Sequence, residues 1–165
     1  MAAKKTVVDK KIKQVGYFNY KDLYGFIFDY IKGLGYVVKE KKYEEKETAG
    51  GKEVVIEWNA FKKMTDYYRG RIQVKWHILN MKDAEIERDG RKEQTNKGEV
   101  KIEFKGIMER DYEDKWEDTP FWKYMRGTYD KYIAKTLNDE YEDDLEDEVN
   151  DIIEQTKAFL QLQTA

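Results

Sequence analysis

The sequence predicts an α+β fold in which an antiparallel meander sheet of about five or six strands is covered on one face by helices. Three segments in the middle of the chain alternate apolar and polar residues, which is typical of half-buried strands. An amphipathic helix pattern precedes them. Helical periodicity returns after residue 119 and predicts two helices, or one long helix, at the C-terminus. At 165 residues the chain is expected to form a single domain.

The composition excludes several kinds of chemistry. The chain has no Cys, which excludes a disulfide framework, a thiolate zinc site and a Cys nucleophile. Its single His excludes a metal site built from several imidazoles. Charged residues make up 39% of the chain, yet it also holds 13 Tyr, 7 Phe and 4 Trp, which disordered chains of similar charge lack. We therefore expect a folded, heavily solvated domain without cofactors, with the Lys and Glu richness of a thermophile protein.

Residues 1–15 form a Lys-rich segment with apolar residues at Val7, Val8, Ile12 and Val15. This pattern predicts a basic arm or an edge strand. The segment contains no apolar run of signal-peptide length. Nowhere does the sequence contain the run of about 18 apolar residues that a membrane span needs. We therefore expect a cytoplasmic protein without a membrane span.

The clearest helix in the first half is predicted over residues 19–34. Asn19 is a good N-cap, and Asp22 lies near the positive end of the helix dipole. Phe18 and Leu23 occupy the two positions of a hydrophobic staple. The apolar stripe of this helix consists of Leu23, Ile27, Tyr30, Ile31 and Leu34, widened by Tyr24 and Phe28.

Three segments after this helix show a clean period-two pattern. Because successive side chains of a strand point to opposite faces, one face of the sheet should be buried and the other wet. On this alternation Trp58 and Trp76 should be buried, whereas Lys75 and His77 should be exposed. The predicted buried face consists of Val54, Ile56, Trp58 and Ala60, then Ile72, Val74, Trp76 and Ile78, then Val100, Ile102, Phe104, Gly106 and Met108.

Turns are predicted between the strands. A further strand is expected over residues 36–46, followed by a turn at 48–51. The pair Asp89 and Gly90 is typical of a type I′ hairpin turn. A second turn is predicted at residues 96–98, where Asn, Lys and Gly follow one another.

The pattern is helical from residue 119 onwards. Pro120 is well placed at the first position of a helix over residues 120–137. Asn138 is then predicted to cap a second helix. If Asn138 does not break the chain, residues 120–162 form one long helix, and we prefer two helices.

Charge is distributed unevenly along the chain. Residues 1–138 carry 30 Lys and Arg against 24 acids, whereas residues 139–165 carry 10 acids and one base, Lys157. A charge run of this kind is usually a solvated face. Alternatively it forms an electrostatic clasp on a basic surface. That surface would belong to the chain's own Lys-rich N-terminus, to a second copy or to another protein.

The acidic C-terminal helix over residues 139–165 also has an apolar stripe that is too large to remain in water. The sheet must already accept the helices at 19–34 and 120–137, which leaves limited room for a third. We therefore expect the stripe to pack partly on a second copy, giving a homodimer, or on another protein. The candidate interaction residues are Leu145, Val149, Ile152 and Phe159.

Large rings recur on the predicted buried face, one in each strand, and such rings usually form a core. The order of elements is a strand, a helix, a long meander and a closing helix. It resembles the helix-grip or START-like architecture, which can enclose an apolar cavity. A protein of that kind would bind a small apolar ligand. The candidate lining residues are Trp58, Trp76, Phe104, Tyr24 and Phe28.

Two other patterns in the sequence bear on function. His77 is expected on the wet face, near Glu57 or Glu103, where a single imidazole is usually a surface residue although a general base would use one. Basic residues interleaved with aromatic ones suit single-stranded nucleic acid. The net charge of −3 argues against a dedicated nucleic-acid binder. This cluster comprises Lys41, Lys42, Tyr43, Lys62, Lys63, Tyr67, Tyr68, Arg69 and Arg71.

Four segments, GKEVVIEW, RIQVKWHI, NKGEVKIEFKG and TPFWKYMRGTYDKYI, resemble a family of small archaeal proteins of uncharacterised function. The resemblance spans roughly residues 50–165. It implies an archaeal, cytoplasmic setting and brings no site residues with it.

No P-loop, dinucleotide-binding glycine motif, HExxH, GxSxG or EF-hand pattern is present in the sequence. We therefore expect a non-enzymatic binding or assembly protein. It would interact with a protein partner or with itself through its acidic amphipathic C-terminal helix. The alternative is a helix-grip-like cavity protein for a small apolar ligand, and an RNA-associated protein is the third interpretation.

Overall fold

The computed structural model describes residues 3–110 and 134–164, and within the second range the side chains of residues 139–163. The elements in chain order are β1 (Ala3–Phe18), α1 (Tyr20–Gly33), β2 (Val37–Thr48), β3 (Gly51–Lys63), β4 (Tyr68–Arg88), β5 (Arg91–Arg110) and α2 (Ala134–Thr164).

All five strands form one antiparallel sheet in the order β1–β5–β4–β3–β2. The predicted α+β fold with an antiparallel meander is confirmed, and the described residues form five strands. Strands β2 to β5 follow one another as neighbours, and β1 pairs with β5. The N-terminal segment is therefore an edge strand rather than a free arm.

Both described helices cover the same face of the sheet, which we call the inner face. α2 contacts β1 and β5, whereas α1 contacts α2 and β2. Trp58 and Trp76 are buried on the inner face, and Lys75 is exposed on the opposite, outer face. The assignment of these residues to the two faces, predicted from the alternation, is therefore confirmed.

Asn19 begins α1 as predicted. Its side chain accepts a hydrogen bond of 3.0 Å from the backbone N–H of Asp22, which satisfies one of the free donors at the helix N-terminus. Phe18 and Leu23 are both fully buried, as expected for a hydrophobic staple. Beyond the end of the helix Gly35 has a φ of 100°, a conformation that glycine adopts without steric cost.

Two of the three predicted turns are confirmed and the third is wrong. Residues 49 and 50 connect β2 to β3, and Thr48 pairs with Gly51 across this turn. Asp89 and Gly90 have φ angles of 52° and 74°, which correspond to a type I′ turn. Residues 96–98 lie inside β5 instead of forming a turn. The irregularity is in β4, whose pairing with β5 shifts register after Leu79. Gly98 lies beside this shift, because a Cβ at that position would be 2.9 Å from the carbonyl oxygen of Leu79.

Asn138 does not cap a helix, because α2 continues without a break from Ala134 to Thr164. The preference for two helices separated at Asn138 is therefore wrong. The apolar repeat continues past this residue, and packing of a long stripe outweighs the preference of one residue for a cap. The remainder of the helix predicted over 120–137 lies outside the described residues. Neither described helix is long and apolar enough to cross a membrane.

Gly106 is a point of close approach between β5 and α2. A Cβ at this position would lie 2.8 Å from Cγ1 of Val8 and 3.2 Å from Cγ2 of Val149. We therefore expect Gly106→Ala to lower the free energy of unfolding by about 1–3 kcal/mol in urea denaturation. The matched control is Gly25→Ala in α1, where a Cβ meets nothing within 4 Å. That change should stabilise the helix by up to about 1 kcal/mol. If both substitutions stabilise the protein, the inner face has free space and a cavity is favoured.

Candidate functional site

Four of the five candidate cavity-lining rings pack together on the inner face. The ring centroids of Tyr24 and Trp58 lie 4.9 Å apart, those of Phe28 and Trp58 5.6 Å, and those of Trp58 and Trp76 5.4 Å. All three contacts are edge-to-face, which the charge distribution of aromatic rings favours. Phe104 is fully buried in the same core. The structure therefore brings these residues together as rings in mutual contact.

A carboxylate lies at the edge of this aromatic cluster. Glu40 Oε1 accepts hydrogen bonds from the Tyr24 hydroxyl at 2.7 Å and from Trp58 Nε1 at 3.3 Å. Burial, and then the hydrogen bond to Glu40, raise the pKa of Tyr24 to about 12. The Tyr24 hydroxyl therefore remains protonated near neutral pH and joins α1 to β2 as a hydrogen-bond donor.

The candidate interaction residues of α2 pack on the chain's own sheet and on α1. Leu145, Val149 and Ile152 are buried. The Phe159 ring stacks on Phe26 of α1 with 4.4 Å between centroids. α1 lies towards β2, so the β1 and β5 side of the sheet accepts α2. The helix predicted over 120–137, which was expected to limit the room, lies mostly outside the described residues. The stripe is therefore occupied within one chain, and this packing does not test a homodimer.

The electrostatic clasp predicted for the acidic segment forms within the chain. Lys5 Nζ in β1 donates to Glu142 at 2.9 Å, and Lys62 Nζ in β3 donates to Glu148 at 2.9 Å. Of the three basic surfaces considered, the chain's own Lys-rich N-terminal strand is thus one partner. Partly exposed ion pairs of this kind contribute up to about 1 kcal/mol each. The acids of α2 that remain exposed are Asp139, Glu140, Asp143, Asp144, Asp147 and Glu154.

The basic and aromatic cluster considered for nucleic acid is largely engaged in folding. Tyr67 and Tyr68 are buried, so their ring faces are closed to nucleobases. Arg69 Nε donates to the buried Glu109 carboxylate at 3.0 Å. The Arg69 guanidinium also lies over the Phe61 ring at 4.5 Å from its centroid. Single-stranded nucleic acid needs exposed rings for stacking, and of the three tyrosines in this cluster only Tyr43 is exposed, at 43%.

His77 lies on the outer face as predicted, but its partner differs from the expected one. The carboxylates expected near it, Glu57 and Glu103, are instead directly opposite Lys75. His77 Nε2 lies 2.9 Å from Oε1 of Glu53, and the His77 side chain is 44% exposed. Alternation alone places a residue on a face, whereas its cross-strand neighbours depend on the register, which the sequence pattern does not specify.

A groove of about 910 Å³ crosses the outer face of the sheet at the level of His77. All five strands contribute to it, and the twist of a sheet is what makes such a face locally concave. We call it the outer groove. It includes five lysines against three glutamates, so its charge is positive. Its polar and apolar outer-face residues are Lys11, Lys13, Lys42, Glu53, Val55, Glu57, Lys75, His77, Lys101 and Glu103.

Charge alternates along one row of directly opposed residues across the outer groove. The row runs Lys42, Glu57, Lys75, Glu103 and Lys11, with one residue from each strand. Opposite charges in directly opposed positions stabilise a sheet. Lys11 and Glu103 form an ion pair of 3.4 Å. Within residues 3–110 and 139–163, Lys75 on the central strand forms neither a hydrogen bond nor an ion pair.

The neighbouring row of directly opposed residues runs Val55, His77, Lys101 and Lys13, and its lysines lie on β5 and β1. Lys13 and Lys101 are directly opposed and share Glu99, at 3.2 Å and 3.5 Å. The hydrogen bond from Lys13 is the main cause that lowers the pKa of the Glu99 carboxyl. Val55, which is directly opposite His77, gives the outer groove an apolar surface at this point.

The chemistry offered by the outer groove is the binding of an anionic group. Among the described residues that line it there is no Ser, Thr or Cys, so the pair of His77 and Glu53 has no adjacent hydroxyl or thiol to activate. Among the residues whose side chains the structure describes, no three Asp, Glu or His side chains are grouped to hold a metal ion. This groove was not predicted from the sequence. The available signal was Val55, an apolar residue on the wet face between two glutamates.

No protein-family model, no curated protein and no solved structure matches the chain. The resemblance to small archaeal proteins therefore stays a prediction.

Proposed function

We propose that the protein is a non-enzymatic binding protein that holds an acidic segment of a partner protein in the outer groove. The observation that carries this proposal is the position of Lys75, an unpaired cation within the described residues at the centre of the groove. The class of function is the one expected from the sequence. The contact surface differs, because the apolar stripe of α2 is buried in its own domain.

The neighbours of Lys75 favour separated carboxylates over a continuous phosphate chain. Glu57 and Glu103 lie directly opposite Lys75 on either side and would repel any anion placed over them. A single carboxylate can approach Lys75 between them. A nucleic acid strand carries a charge on every nucleotide and would meet both glutamates. Val55 adds an apolar contact, which an amphipathic protein segment can use.

A labelled peptide of sequence DEYEDDLEDEVND, the chain's own residues 139–151, is a suitable acidic probe for fluorescence anisotropy. We expect Lys75→Glu to weaken its binding by about tenfold or more, because the change removes the anchoring cation and leaves three adjacent carboxylates. The matched control is Lys92→Glu, which changes the net charge equally on an exposed part of β5 outside the groove. That variant should bind the peptide like the natural chain.

A single-stranded RNA of equal charge serves as the second probe. The proposal fails if the natural chain does not bind the peptide, or if Lys75→Glu and Lys92→Glu weaken peptide binding equally. RNA binding that exceeds peptide binding and is lost in Lys75→Glu would instead favour the RNA-associated interpretation and overturn the proposal.

A further inference from the structure

The edge strand β2 is exposed along nearly its whole length. It spans Val37–Thr48 at one end of the sheet and pairs only with β3 among the described elements. Eleven of its twelve residues are exposed, including Tyr43 at 43%. An edge strand presents a row of unpaired backbone N–H and C=O groups, which is a template for another strand.

The charges of β2 are complementary to those of a second, antiparallel β2. The central residues are Lys41, Lys42, Tyr43, Glu44 and Glu45. When two copies pair about a two-fold axis at Tyr43, Lys42 of each copy is directly opposite Glu44 of the other. Both side chains lie on the outer face, since Lys42 and Glu44 are opposite Glu57 and Val55 of β3. Lys41 also lies on the outer face, beside Lys42, and adds to the positive charge that Glu44 of the other copy meets.

The other edge of the sheet does not offer the same match. β1 carries five lysines against one acid, Asp9, so two copies of β1 would bring like charges together. Directly opposed like charges destabilise a sheet. α2 also contacts β1, whereas β2 lies on the side of the sheet away from α2.

We propose that two copies of the chain pair through β2, antiparallel about Tyr43, to form a dimer with one continuous ten-stranded sheet. This inference goes beyond the binding of a partner in the outer groove and does not depend on it. Tyr43, the residue on the two-fold axis, points to the inner face, where its hydroxyl lies 2.9 Å from the hydroxyl of Tyr20 in α1.

A bulge sets the length of the matching segment. The pairing of β2 with β3 shifts register between Glu40 and Lys42, leaving Lys41 as the extra residue. Lys41 Nζ lies 3.7 Å from Glu57 on the outer side, and Lys42 also reaches the outer groove. The bulge interrupts a regular ladder beyond Lys41, so the central five residues carry the dimer contact.

Charge reversal tests this arrangement by sedimentation velocity at low salt. The natural chain should form a dimer at micromolar concentration that weakens as salt is raised. Lys41→Glu with Lys42→Glu should raise the dimer dissociation constant by about tenfold or more, and so should Glu44→Lys with Glu45→Lys. An equimolar mixture of the two variants should restore a one-to-one dimer, because the charges are then complementary again. This rescue also shows that both variants are folded.

The proposal is overturned if the natural chain sediments as a monomer under these conditions, or if both charge-reversed variants dimerise as well as the natural chain. The position of the axis has its own test, because the chain contains no Cys. Tyr43→Cys should form an intermolecular disulfide under mild oxidation, since directly opposed Cα atoms lie about 4.5–5.5 Å apart. In Lys39→Cys the two thiols would be about 27 Å apart and should not react. Equal cross-linking of both variants would contradict the axis at Tyr43.

Discussion

Trp76→Ala should lower the free energy of unfolding by about 3–5 kcal/mol, the usual range for truncation of a buried aromatic side chain. Trp76 is 1% exposed, and its ring centroid lies 5.4 Å from that of Trp58 and 6.1 Å from that of Tyr24. Truncation removes these contacts and leaves a cavity between β4 and α1. Urea denaturation followed by circular dichroism measures the loss.

His77→Ala is the matched control, because His77 is the next residue on the same strand and points to the outer face. We expect this change to cost less than about 1 kcal/mol. Equal, small losses at Trp76 and His77 would mean that the strand register differs by one residue from the one described, since a shift of one residue exchanges the two faces.

Leu145→Ala should lower the free energy of unfolding by about 2–5 kcal/mol. Leu145 is fully buried, and its Cγ would lie 3.4 Å from a Cβ added at Gly106. The loss arises because α2 owes its stability to the packing of this stripe on the sheet, as amphipathic helices do in general. Thermal or urea denaturation of the full chain is the measurement.

The control for this change is Asp144→Ala, which alters the adjacent and exposed residue of the same helix. Surface substitutions of this kind stay within about 0.5 kcal/mol. If Leu145→Ala costs no more than Asp144→Ala, the apolar stripe of α2 does not pack on its own domain. A second copy or another protein would then be its partner, as first expected from the sequence.

The faces of the strands were predictable because side chains alternate strictly along a strand. Trp58 and Trp76 are buried and Lys75 is exposed for this reason, and the only information needed is the local order of residues. The N-terminus of α1 was predictable for a similar reason, since the Asn19 cap and its acceptor geometry involve residues three positions apart.

The wrong predictions depend on distant parts of the chain. Residues 96–98 have the composition of a turn, but they lie in β5 because β4 runs alongside and absorbs the irregularity after Leu79. Asn138 is a good helix cap by type, but α2 continues through it. In both places contacts with another element, or a long apolar stripe, outweigh the preference of a few residues.

The candidate site was only partly predictable. Charge asymmetry indicated that the acidic segment meets a basic surface, and Lys5 and Lys62 are partners from the chain itself. Which basic surface the acidic segment meets depends on the pairing of β1 with β5, because that pairing brings the Lys-rich N-terminal strand next to α2. The outer groove depends on sheet twist and on which residues are directly opposed, such as Glu57 and Glu103 on either side of Lys75. Neither property is encoded in the local pattern of residues.

The pairing of β1 with β5 determines the order in which the domain can fold. Ala3 pairs with Arg110 and Phe18 with Asn96, whereas β2 to β5 pair with strands next to them in the chain. Contacts between residues so far apart must overcome the entropy of closing a long loop before they contribute any stability. The four later strands can assemble from local contacts, whereas β1, which precedes them in the chain, cannot pair until β5 has formed. We therefore expect the docking of β1 on β5, and of α2 across both, to be a late and shared step of folding.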